Sequence, residues 1–136
     1  MHSDMITIHN KYEDSDGNLV LTSTLIEGCF YIKDESVSIK ADLSGNADVV
    51  YASVPESRVM NASRKLVDKY DFENASDDEK KLLFTMASGD WLSFGDETRV
   101  EKSSPSTFDN YDNTFEISAV GYWDKGGLPH YEVSAH

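Results

Sequence analysis

One cysteine, Cys29, among 136 residues leaves no partner for an internal disulfide, so the fold must be held by a packed core rather than a covalent staple. No apolar run approaches the roughly 20 residues that a membrane-spanning helix needs. The opening stretch, MHSDMITIHNKYEDSD, has no apolar segment of signal-peptide length,. Together with the lone thiol, these absences predict a cytoplasmic protein with no membrane association. Asn61-Ala62-Ser63 and Asn74-Ala75-Ser76 fit the glycosylation acceptor pattern, but in a chain that is not secreted such triplets are chance matches. A chain of this length buries about two-thirds of its unfolded surface in one domain, so residues 1–136 are expected to fold as a single unit without a cofactor or metal.

Basic residues are also scarce, with 12 Lys and Arg against 25 Asp and Glu and a formal charge of −13. Nucleic acids and anionic membranes are held by counterion-displacing Lys and Arg, so direct binding to either is not expected. A basic partner is a different matter, because an acidic surface steers such a protein toward itself and speeds encounter. The competing reading is that the acidity serves solubility alone or a salty habitat. The charge is uneven: residues 1–60 carry ten acids and four bases, 61–90 seven and five, and 91–136 eight and three. Eleven of the thirteen excess negative charges therefore lie outside the central segment.

The most acidic short stretch, Asn10 to Leu19, places Glu13, Asp14, Asp16 and Asn18 around Gly17. An EF-hand loop starting at Asp14 would require glycine at its sixth position and glutamate at its twelfth, but Leu19 and Leu25 stand there. Ser-Asp-Gly-Asn between two apolar runs reads instead as a hairpin turn.

Alternation predicts strands at residues 5–9, 19–26, 29–32, 36–43 and 49–54, with Gly28 a break or bulge and Ser44-Gly45-Asn46 a turn. The period then lengthens. Ser53 and Glu56 at capping-box spacing, followed by Val59, Ala62, Leu66, Val67 and Tyr70, predict a helix over 55–70. Ser76 through Glu79 repeats the capping signal, and Leu82, Leu83, Met86 and Ala87 predict a second helix over 77–88 ending at Gly89. Further strands are expected at 91–94, 98–102 and 114–123, the last with Phe115, Ile117, Ala119 and Trp123 on one side. Residues 103–113 read as a polar loop and 124–129 as the turn of a C-terminal hairpin. The predicted class is α+β: a single domain, mainly antiparallel sheet, with a pair of central helices packed on one face.

Motifs with well-defined chemistry are missing: no P-loop, dinucleotide-binding glycine pattern, zinc spacing, nucleophile elbow or HExxH occurs. Cys29 with His9 or His130 could pair a thiolate with a base, although a cysteine in an apolar strand is ordinarily a small buried hydrophobe. His2, His9, His130 and His136 lack ligand spacing. Acid pairs such as Asp14 with Asp16, Asp90 with Asp96 and Asp109 with Asp112 arise by chance in so acidic a chain. No catalytic or metal residue is assigned, and an enzyme is not the expectation.

Aromatics set among acids remain. Phe108-Asp109-Asn110-Tyr111-Asp112-Asn113 and Tyr122-Trp123-Asp124 fall in or beside loops, and exposed Tyr and Trp are favoured interface anchors. The alternative places Phe108 and Trp123 in the core, capping the sheet. On the interface reading, Asp109, Tyr111, Asp112, Tyr122, Trp123 and Asp124 form the partner-binding set. The expected function is a non-enzymatic inhibitor occupying the basic, nucleic-acid-binding site of a larger protein, a nuclease for example, as phage-encoded anti-defence proteins do. An immunity protein neutralising a basic toxin uses the same electrostatics. A small-ligand binder or enzyme with a pocket between sheet and helices, and a structural or assembly subunit joined through a strand edge, are the readings of different class.

Overall fold

The computed structural model describes residues 4–34, 49–98, 114–124 and 127–136. Strand β1 (Asp4–Glu13) and strand β2 (Leu19–Asp34) form the expected hairpin. Its acidic turn is held by Asp14, whose Oδ1 accepts from the backbone N–H of Asp16 at 3.0 Å and of Asn18 at 2.8 Å. Gly17 takes φ +82°, the left-handed conformation that selected glycine there,. Strands β3 (Val49–Pro55), β6 (Trp91–Phe94), β7 (Thr114–Trp123) and β8 (His130–Ala135) complete a closed antiparallel barrel in the order β1-β2-β3-β8-β7-β6. The last link pairs β6 with Ile6–His9 of β1.

Closure requires β2 to serve two neighbours. Up to Cys29 it pairs with β1, and from Phe30 onward with β3. The register slips between Asp4 and Met5, opposite Cys29 and Glu27. The residue left over in β2 is Gly28, at φ +80°. This is the bulge expected from the sequence, and such bulges bend a strand where a sheet must curl.

The barrel interior is filled by its own side chains. Ile6 and Ile8, Ile26 and Cys29, Val50, Ala52 and Val54, Val133 and Ala135, Phe115 and Ile117, and Leu92 bring residues of all six strands into one cluster. Tyr31 stacks on Phe94 with ring centroids 3.9 Å apart, and Phe94 meets Phe115 at 5.5 Å.

Between β3 and β6 the structure departs from expectation. In place of helices over 55–70 and 77–88 stand α1 (Glu56–Met60), β4 (Lys65–Leu66), α2 (Lys69–Glu73), α3 (Asp77–Lys80) and β5 (Leu83–Phe84). The pair of central helices packed on one face is not found. The first predicted helix is divided because Asp68 is a better cap than interior residue: its carboxylate accepts from Asp71 N at 2.8 Å and starts α2,. The second stops after one turn because Leu83–Phe84 pair in parallel with Lys65–Leu66, which buries Phe84 completely. The capping box of Ser76 and Glu79 is present as read. Val59, Phe84 and Met86 join the barrel cluster, so this insertion supplies part of the core. The molecule is thus mostly antiparallel sheet with a few short helices.

The expected strand over 36–43, the turn at 44–46, most of the strand over 98–102 and the loop 103–113 lie outside the described residues. Among the described residues, no helix is long and apolar enough to cross a membrane.

Gly28 generates a direct prediction. A Cβ there would lie 2.6 Å from Arg58 Nε, and a non-glycine residue in this conformation costs about 1–3 kcal/mol. Gly28→Ala is expected to lower the urea midpoint accordingly. Adding Arg58→Ala should relieve the collision but not the backbone strain. An unchanged midpoint in the single variant would mean that the bend does not depend on this glycine.

Candidate functional site

The barrel has two outer faces of opposite character. On the β1-β2-β6 side, Thr7, His9, Ser23 and Ser93 point away from the apolar interior yet are buried. His9 Nδ1 lies 2.8 Å from Ser23 Oγ, and Nε2 lies 2.7 Å from Ser93 Oγ, which is itself 2.7 Å from Thr114 Oγ1. A neutral imidazole donates from one nitrogen and accepts at the other, and serine hydroxyls can answer either way. Burial pushes the His9 pKa down to about 4, so the ring is neutral near physiological pH. With His9 and Ser93 both at 0% exposure, this chain is internal wiring with no access for a substrate.

Cys29 is equally secluded. Its Sγ faces the carbonyl oxygen of Asp4 at 3.4 Å, and burial raises its pKa to about 11. Neither candidate base is arranged as its partner: both His9 ring nitrogens are placed on serine hydroxyls, and His130 bonds the Leu128 carbonyl and Glu132. Among the described residues no group of three or more His, Cys, Asp or Glu side chains could hold a metal ion. Asp14 is used in its turn, and Asp96 accepts from Thr98.

The β3-β8-β7 face is open. A second bulge, between Ile117 and Ala119, reverses the alternation of β7. Phe115 and Ile117 point inward as expected, but beyond the bulge Val120 and Tyr122 take the inward phase, opposite Val133 and Tyr131. Trp123 therefore points outward and is 54% exposed. The sequence pattern had grouped it with Phe115 and Ile117, because a bulge adds one residue without changing the apolar alternation on either side. The indole lies along its own strand, with Nε1 3.5 Å from where a Cβ on Gly121 would be.

Around Trp123 the register assembles a patch. Phe30, Ser53, Glu132 and Gly121 form one cross-strand row, and Tyr51 and Ser134 belong to the next. Phe30 is 40% and Tyr51 47% exposed. A shallow cleft of about 280 Å³ lies between them, with Glu132 on its wall and serines in its floor. Strands β3, β7 and β8 carry Glu116 and Glu132 and contain no Lys or Arg, and Asp124 follows β7 directly. Arg58, Arg64, Lys65, Lys69, Lys80 and Lys81 all fall in the insertion between β3 and β6. The acid-and-aromatic face is thus separated along the chain from most of the described bases.

Of the six residues expected to bind a partner, Trp123 and Asp124 stand at the end of this face. Tyr122 is exposed on the opposite side of β7, where its hydroxyl donates to Glu56 and its ring meets Tyr131 at 5.0 Å. That hydrogen bond, reinforced by desolvation and the Glu56 charge, raises the Tyr122 pKa to about 12. Asp109, Tyr111 and Asp112 lie outside the described residues, as does Phe108. Tyr51, Phe30 and Glu132 were missed. Their signal was available in β3, where outward Tyr51 breaks the small-residue pattern of its neighbours, but placing Phe30 beside it requires knowing that β2 turns at Gly28 to pair with β3.

Two expectations follow from the buried groups. The neutral native His9 must compete with an unfolded imidazole that protonates below about 6.5, so the unfolded state binds more protons between there and about 4. Stability should fall as pH drops through that window, by up to about 3 kcal/mol for the full shift. Urea titrations at stepped pH should show a gentler acid-side loss in His9→Gln than in the native chain, and identical slopes would contradict the assignment. The Cys29 thiol should resist a thiol-reactive disulfide reagent in the folded protein and react in denaturant. Rapid reaction without unfolding would show that the site opens.

No curated protein and no solved structure matches the chain. A family model does match, over residues 1–136, and the chain belongs to that family, a family of unknown function designated DUF6751.

Proposed function

We propose that the protein is a non-enzymatic binding protein that acts in a cytoplasm by occupying a basic, nucleic-acid-binding site on a larger protein. The observation that carries this reading is the open β3-β8-β7 face, where Trp123, Tyr51 and the neighbouring Phe30 of β2 are exposed with Glu132, Glu116 and Asp124, and where β3, β7 and β8 themselves contain no Lys or Arg. Carboxylates there substitute for phosphates. Arg side chains bind carboxylate and phosphate with the same two-pronged geometry. The excess negative charge accelerates encounter, an effect that reaches about 10 Å at moderate salt. The aromatic side chains then supply the desolvated contact that slows release. A nuclease is a partner of suitable chemistry, and inhibition follows from blocking its groove, as in an anti-defence protein carried by a phage.

The test begins with the full chain as bait at low salt, with a captured basic protein released by a salt step. Glu132→Lys should then lower the association rate about tenfold and weaken its dependence on salt. Trp123→Ala should accelerate dissociation by tenfold or more, the effect of losing an interface anchor worth about 2 kcal/mol. Capture of no basic protein, or a captured partner that binds both variants as well as the native chain, would overturn the reading.

A further inference from the structure

The β1-β2 hairpin runs on past the barrel wall. Asn10–Glu13 remain paired to Leu19–Thr22, whereas β6 pairs β1 only as far as His9. Beneath this extension lie α2 and α3, joined to it by the edge-to-face contact of Tyr12 with Phe72, centroids 5.4 Å apart. Ser15 also donates to Asp77 Oδ2 at 2.6 Å. Between hairpin and helices is a cleft of about 270 Å³. We propose that this cleft binds a small zwitterion of the α-amino-acid class, a site separate from the docking face and independent of it.

Its floor is rigid. Asn10 clamps Thr85, accepting from Thr85 N at 3.1 Å and donating to Thr85 O at 3.0 Å. The buried Asp90 accepts from Thr85 Oγ1 at 2.7 Å and Ala87 N at 2.9 Å through Oδ2, while Oδ1 holds the Lys69 ammonium at 2.5 Å. Asp90 is thereby spent inside the protein and fixes where Lys69 sits. An ammonium carries three N–H donors, so two remain on Lys69, whose side chain is 43% exposed on the cleft.

Another cation on the cleft is Lys80. Its ammonium stands over the rings of Tyr12 at 5.2 Å and Phe72 at 5.8 Å. It closes no ion pair among the described residues, in a chain with twice as many acids as bases. Held over two aromatic faces, it is positioned by the cation–π attraction and retains its N–H donors. Lys11 borders the cleft as well, its ammonium over the Trp91 ring at 5.6 Å, while Lys69 and Lys80 are held by the cleft's own residues and together suit a carboxylate.

Glu13 and Glu73 border the same cleft. They disfavour a dianion such as phosphate and offer a partner to a ligand ammonium, so the charge pattern matches a molecule carrying one charge of each sign. The Tyr12 and Phe72 rings give its side chain an apolar wall. The volume lies just under the roughly 300 Å³ at which pockets for drug-sized ligands begin, which fits an amino acid rather than a nucleotide. The plain structural alternative is that Lys69 and Lys80 only brace α2 and α3 against the hairpin.

The test is a backbone amide NMR titration of the full chain with glycine, L-alanine, L-phenylalanine, L-lysine and L-glutamate in turn. Acetate, ethylammonium and inorganic phosphate serve as probes that carry charge of one sign only. At least one amino acid is expected to give saturable shifts at Asn10, Tyr12, Phe72 and Thr85 with millimolar or tighter affinity, and the single-sign probes to bind about tenfold more weakly. Lys80→Met, which keeps the aliphatic stem over the rings, should reduce amino-acid affinity about tenfold while leaving the melting temperature within a few degrees. Three results would overturn the proposal: no saturable shifts from any amino acid, equal binding of acetate or phosphate, or native affinity in Lys80→Met. Because none of these readouts involves Trp123, Tyr51 or Glu132, failure here leaves the docking reading standing, and the reverse is also true.

Discussion

Closing the sheet into a barrel of six strands is the constraint from which the remaining features follow. A barrel of about eight strands has an interior just wide enough to be filled by side chains or to hold one small ligand, so a smaller barrel encloses only its own residues. Ile6, Ile8, Ile26, Val50, Val133 and Leu92 fill it from every side. Anything the protein binds must therefore meet an outer face or a cleft beside the barrel. The bend of β2 at Gly28 makes closure possible, because one strand must leave β1 and join β3 without breaking its hydrogen-bond ladder,.

Closure also divides the outside in two. Toward β1, β2 and β6 the outward side chains include small hydroxyls gathered on a neutral histidine, a buried polar arrangement that is tolerable because its members satisfy one another,. Toward β3, β7 and β8 they are aromatics, serines and glutamates in contact with solvent. The first arrangement contributes structure; the second leaves apolar surface exposed beside carboxylates, of which Glu132 is met by His130 on its own strand. Exposed aromatic patches rimmed by polar residues mark interaction sites more often than isolated apolar residues do. In the proposed docking role, negative charge on that face supplies direction and speed to an encounter, and the aromatic groups supply residence time.

Much of the fold was legible where order is local. The turn at Asp14–Asn18 declared itself through Gly17 and the Asx-type side chains, β3 through alternation, β8 as the return arm of the C-terminal hairpin, and the start of α3 through Ser76 and Glu79. What was not legible depends on distant partners. Val59, Ala62, Leu66 and Tyr70 have helical spacing, but Asp68 caps a new helix and Leu66 finds Phe84 across a parallel pair, neither of which periodicity can weigh. The bulge in β7 is equally silent, since Ala119 and Val120 are both compatible with either face, and it decides that Trp123 is outside. Of the candidate site, Trp123 and Asp124 were readable as an aromatic beside an acid. Tyr51, Phe30 and Glu132 become neighbours only once β2, β3 and β8 are laid side by side.

The most direct test asks whether the acidity is organised or merely abundant. An arginine-rich, nucleic-acid-binding peptide titrated into the labelled protein at low salt, followed by backbone amide and Trp indole shifts, answers it whatever the natural partner is. If the β3-β8-β7 face is the docking surface, the shifts concentrate on the Trp123 indole, Tyr51, Gly121 and Glu132 and vanish at high salt. Shifts spread evenly over all exposed acids, with Asp16, Asp71 and Asp78 moving as much as Glu132, would contradict it and leave the negative charge as a device for solubility alone.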